Sequence, residues 1–114
     1  ETLPLMRTAI RLNPDAGYLY FLLLGRAYFF LGDWEQALIN INEALARNPT
    51  NLETRIYLAA SREASGQHEE AVWQREEILS LSPDFTTATW LRTYPMSDRE
   101  QRSQLSSLLQ QLDL

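Results

Sequence analysis

Residues 18–49 read YLYFLLLGRAYFFLGDWEQALININEALARNP, and this stretch decides the fold. Gly32-Asp33 divides it into two helices. Gly32 suits the left-handed conformation that closes a helix, and Asp33 can accept from the free N–H groups that open the next one. From Trp34 to Arg47, one face carries Trp34, Ala37, Leu38, Ile41, Ala44 and Leu45. The other carries Glu35, Gln36, Asn40, Asn42 and Glu43. That is the pattern of an amphipathic helix. Asn48-Pro49 stops it, because a residue before proline is pushed out of the helical region.

Working outward, Leu5, Ala9 and Leu12 fall at helical spacing within residues 3–12. Pro4 fits a first helical turn, and Asn13-Pro14 ends this helix. The next starts between Asp15 and Tyr18 and reaches Leu31. Downstream, Thr50 and Glu53 have capping-box spacing and open a helix to about Ser65, closed by Gly66. A fifth runs from His68 to about Leu81, with Ala71, Val72, Ile78 and Leu79 inward, and stops at Ser82-Pro83. Asp84 is placed to cap a short helix through Leu91, ending before Pro95. Ser97 and Glu100 form a second capping box, opening a last helix from Asp98 to about Leu112 with Leu105, Leu108, Leu109 and Leu112 on one face. No segment alternates apolar and polar residues between turns, so the class is all-α.

Composition narrows the chemistry. The chain has 114 residues, enough for one modest core, and a net charge of −5. That charge is unsuited to binding nucleic acid through its phosphates. All ten basic residues are arginine, which reads as composition bias, and there is no cysteine. Thiolate metal sites, disulfides and a cysteine nucleophile are thereby excluded. The one histidine, His68, begins His68-Glu69-Glu70, which lacks the second histidine of a zinc motif. It reads as a surface or packing residue. Glu69, Glu70, Glu76 and Glu77 read as the wet face of a helix, since an acid–base pair needs contrasting environments. Gly17, Gly25, Gly32 and Gly66 form no phosphate loop. No cofactor or metal is implied, and the reading is non-catalytic. A small hydrolase using His68 or the glutamates is the enzyme-class alternative. Tyr18–Leu31 is too short to span a bilayer and contains Arg26, so no membrane insertion is expected. The chain opens at Glu1 mid-pattern, without a signal peptide, and reads as a cytoplasmic fragment of a longer protein.

The helices repeat. Gly32 and Gly66, Leu24 and Leu58, Ala37 and Ala71, and Pro49 and Pro83 each lie 34 residues apart. One helix pair cannot bury its own apolar face, whereas stacked pairs form a continuous core. With Phe21, Leu24, Gly25, Tyr28, Gly32, Ala37, Ile41, Ala44 and Pro49 at its motif positions, the stretch resembles a tetratricopeptide repeat. Leu58, Ala59, Gly66, Ala71, Ile78 and Pro83 resemble a second. The resemblance implies a right-handed α-solenoid of antiparallel helix pairs. Residues 1–17 would be the second helix of a partial repeat, 18–51 and 52–85 two repeats, and 86–114 capping helices in a single domain. Arg55, Arg62 and Arg75 stand where large apolar residues are usual. Either their stems pack while their heads reach solvent or carboxylates such as Glu63 and Glu76, or they mark a polar patch facing a partner.

In this repeat class the first helix of each pair lines a concave groove. The implied groove residues are Leu19, Leu22, Leu23, Arg26, Phe29 and Phe30, then Glu53, Ile56, Tyr57, Ala60 and Glu63, extended by Thr87, Trp90 and Leu91. The lysine and asparagine of the chaperone-type carboxylate clamp are absent. The helix Tyr18–Leu31 is apolar nearly all round, so something must cover Leu19, Leu22, Phe29 and Phe30. The candidates are the terminal helices, a second copy or a partner peptide. Pro83-Asp84-Phe85, Trp90, Arg92, Tyr94-Pro95, Asp98 and the leucine-rich end are similar to tails closing tetratricopeptide regions of bacterial class III adenylate/guanylate cyclases and winged-helix transcriptional regulators. The implied function is a protein–protein interaction scaffold in a larger bacterial signalling protein, an enzyme such as a nucleotide cyclase or a transcriptional regulator. The alternative is a homodimerisation element holding catalytic or DNA-binding domains together.

Overall fold

The computed structural model describes residues 17–94, 96 and 98–114. Within them lie six helices: α1 Gly17–Leu31, α2 Trp34–Arg47, α3 Leu52–Ala64, α4 His68–Leu81, α5 Thr87–Thr93 and α6 Arg99–Gln110. No strand occurs among the described residues. The chain is all-α, a short stack of helix pairs. The helix expected over residues 3–12 and the cap at Ser97 lie outside the described residues.

The two helix-pair turns share one geometry. Gly32 (φ 81°) and Gly66 (φ 83°) both adopt the left-handed region. At the first turn Gly32 N–H donates to Phe29 O and Asp33 N–H to Tyr28 O. At the second, Gly66 N–H donates to Glu63 O and Gln67 N–H to Arg62 O. Each is a Schellman closure, which satisfies carbonyls that the helix end leaves free. The pair ends match as well: Asn48 (φ −147°, ψ 79°) and Ser82 (φ −142°, ψ 86°) both precede a proline. The caps diverge. Asp33 accepts from Gln36 N–H at 3.2 Å, whereas Gln67 makes no side-chain cap.

Two capping expectations, at Thr50 and Asp84, are corrected. Asn51, not Thr50, caps α3, accepting from Thr54 N–H at 2.9 Å. Thr86, not Asp84, caps α5. Asp98 caps α6 through Gln101 N–H at 2.9 Å, so this helix begins at Arg99. For Thr50 and Asp84 the extended backbone needed at a cap falls on another polar residue nearby. Asn40, expected on the wet face of α2, is buried, and its amide donates to Gln36 O at 2.9 Å.

The core begins where α1 crosses α2. A methyl on Gly25 would lie 2.5 Å from Ile41 Cγ1, so the two axes approach as closely as only glycine permits. Ala37, Ile41 and Ala44 are fully buried there, and Phe29 packs on Trp34 at 5.5 Å between ring centres. In α3 the buried run is Ile56–Ser61, and α4 buries Ala71 and Ile78. α6 packs on α3 and α5 and sends Leu105 and Leu109 into the same core, joined by Leu112 just beyond its end. It caps the stack. Arg102 fixes it by donating to Leu91 O and Met96 O, each at 2.9 Å. Asp113 (φ 61°) closes α6 with a third Schellman turn.

Gly25→Ala gains roughly 1 kcal/mol of helix propensity but must displace Ile41, so a net loss of about 1 kcal/mol is expected in denaturant unfolding. Ala37→Leu is expected to cost about 1–3 kcal/mol in the same measurement; a neutral result for both contradicts the close crossing.

Candidate functional site

α1 divides its apolar surface by direction. Gly17, Tyr20, Leu22, Gly25 and Phe29 are buried. Leu19, Leu23, Arg26 and Phe30 follow at spacings of four, three and four, so they form one stripe. Leu19 and Leu23 remain 49% and 48% exposed. Beyond them the stripe runs into a polar cluster built by three helices.

Arg26 of α1 pairs with Glu53 of α3, Nη1 to Oε2 at 3.4 Å. The Tyr94 hydroxyl, at the end of α5, donates to the same carboxylate oxygen. The Tyr57 and Tyr94 hydroxyls lie 3.2 Å apart. The Arg26 guanidinium sits 5.4 Å from both ring centres, within cation–π range. Trp90 stacks on Tyr94 at 4.3 Å, while Phe29 and Phe30 meet Tyr57 edge-on at 5.7 and 6.1 Å. Arg26 and Glu53 each keep 28% of their side-chain surface exposed, so the pair is wet and contributes position more than stability. Burial raises the Tyr94 pKa, reinforced by its bond to Glu53; burial also raises that of Tyr57. Both phenols are held protonated.

The structure thus brings Arg26, Phe30, Glu53, Tyr57 and Trp90 together. It corrects the exposure expected for four residues: Leu22, Phe29, Ile56 and Tyr57 are at most 2% exposed and belong to the core. Ala60, Thr87 and Leu91 are buried as well. Glu63 turns to His68 instead, Oε1 to Nδ1 at 2.7 Å. Tyr94 was not expected in the site. In the sequence it stands only among the tail residues, at i, i+4 spacing from Trp90. Between α3 and α5 a cavity of about 230 Å³ is lined by Leu52, Phe85 and Trp90 and by the polar Ser82, Asp84, Thr86, Thr89 and Thr93.

The three unusual arginines find local partners. Arg55 donates to Pro49 O and to Gln74 Oε1, the latter at 3.1 Å. Arg62 donates to Gln67. Arg75 lies 3.5 Å from Glu76, with its Nε buried and unpartnered. All three are partly buried, and their heads reach mostly amides and carbonyls.

Among the described residues no group of three His, Asp or Glu side chains could hold a metal, and no helix is long and apolar enough to cross a membrane. The surface offers aromatic faces, an ion pair and exposed leucines, which suit recognition of another chain. A family model for the tetratricopeptide repeat matches residues 19–61, covering most of α1, all of α2 and the greater part of α3. The match supports a tetratricopeptide repeat over that stretch, and such repeats generally mediate protein–protein interaction and are typically non-catalytic. No curated protein and no solved structure matches the chain.

A phenol whose folded pKa is raised holds its proton more tightly than the unfolded chain does. Its stabilising contribution is complete below the unfolded value near 10 and is lost as pH rises above it. Stability should therefore fall steeply above pH ~10. Tyr94→Phe should lessen that fall and cost about 1 kcal/mol at neutral pH, both read from urea titrations across pH.

Proposed function

We propose that the chain is a protein–protein interaction scaffold that docks an apolar-bearing protein segment along Leu19, Leu23 and Phe30, with Arg26 and Glu53 meeting its polar atoms. The observation that carries this is the half-exposed Leu19–Leu23 stripe running into the Arg26–Glu53–Tyr94 cluster. A protein segment matches both halves, since it offers apolar side chains and main-chain donors and acceptors together. Trp90 forms the far wall. The division into a partial repeat (1–17), repeats over 18–51 and 52–85, and a cap over 86–114 belongs to this proposal, supported by the matching turns at Gly32 and Gly66. So does the setting in the cytoplasm, as part of a larger bacterial signalling protein such as a nucleotide cyclase or a transcriptional regulator; it rests on the tail residues from Pro83 to Leu112.

A second reading is self-association through the same stripe. The exposed leucines favour it, because paired copies would cover them.

Leu23→Glu is the informative variant, because Phe30 packs on Tyr57 and its replacement would disturb the core. Peptides selected from a displayed library against the wild-type chain should lose about tenfold or more in affinity for Leu23→Glu, while its melting temperature is unchanged. Selected peptides that bind both proteins equally would reject the stripe. Sedimentation equilibrium decides the second reading: a monomer at all concentrations rejects it.

A further inference from the structure

We infer that the outer face of α4 is a second docking surface, for an arginine-bearing segment of another protein, centred on Trp73. Trp73 is 63% exposed and lies on the side of α4 opposite the buried Ala71 and Ile78. It is the largest apolar side chain of this helix, and it stands on the polar face.

Its surroundings select the occupant. Glu69 and Glu70 precede Trp73 by four and three residues, and Glu76 and Glu77 follow by three and four. All four share its face of the helix. Glu69, Glu70 and Glu76 are exposed and Glu77 partly so. The one cation within the group is Arg75, 3.5 Å from Glu76; among the described residues the other three carboxylates form no ion pair. Glu69 and Glu70 suit the N-terminal turn. Glu76 and Glu77 lie before the last turn, where the helix dipole has little effect, and that last turn holds no basic residue.

An open indole between two pairs of carboxylates fits a guanidinium stacked on the ring with further cations on either side. The carboxylate pairs are seven residues apart, about 10 Å along the axis. In an extended partner that distance separates charges about three residues apart. The surface lies on a different helix from the Leu19–Leu23 stripe and does not depend on it.

The test titrates the chain with an acetylated, amidated octa-arginine peptide at two salt concentrations, with a serine–glycine peptide of equal length as control. The wild type should bind octa-arginine and not the control. Trp73→Ala should weaken binding about tenfold at unchanged melting temperature. The double change Glu76→Gln and Glu77→Gln should weaken binding and flatten its salt dependence. Leu23→Ser, on α1, should leave it unchanged. Absence of octa-arginine binding, or equal binding by Trp73→Ala, overturns the inference. So does self-association of the wild type that Trp73→Ala abolishes without octa-arginine binding, which would give the face to a second copy.

Discussion

The close crossing of α1 and α2 at Gly25 and Ile41 is the constraint on which the rest depends. With no side chain at Gly25, Ile41 fits against the α1 backbone. Ala37 and Ala44 then meet α1 on either side, and Phe29 packs against Trp34. This fixes the angle at which α1 presents its other surfaces. Leu22 and Phe29 turn into the core, while Leu19, Leu23 and Arg26 turn away from it. The functional surface is a by-product of how the first pair closes.

From α3 onward the same logic runs with different side chains. The positions 34 residues beyond Gly25 and Ile41 hold Ala59 and Arg75. The second pair therefore uses a methyl and a charged stem where the first uses a bare backbone and an isoleucine. Apolar burial continues through α6, whose Leu105 and Leu109 cover α3 from the end of the stack. Without that cover, the part of the Ile56–Ser61 run that faces α6 would meet water, since an end of a helix stack exposes apolar surface.

Much of the fold was legible because helices have strong local signals. Gly32 and Gly66 mark their turns through a conformation few other residues accept. The faces of α2 and α4 follow from spacing alone, with Asn40 the exception: its buried amide finds a backbone acceptor one turn earlier. Caps were harder. Asn51, Thr86 and Asp98 each have polar neighbours of similar chemistry, and the choice is made by which residue the incoming chain holds extended. The site was read in part. The stripe on α1 follows from helical periodicity, but Tyr94 bonds Glu53 and Tyr57 across 41 and 37 residues. No local pattern carries such a contact. The burial of Ile56 and Tyr57 likewise depends on helices that pack from elsewhere in the chain.

The matched backbone at Asn48 and Ser82 has a consequence for how such a chain can grow. Between these two points the polypeptide leaves and re-enters the same local geometry after 34 residues. A further segment of that length, ending on the same backbone geometry, would meet the same joint on either side. Beyond Pro83 this symmetry lapses, since α5 starts one residue later relative to its proline than α3 does. The joint shared by Asn48 and Ser82 is therefore not carried on into α5.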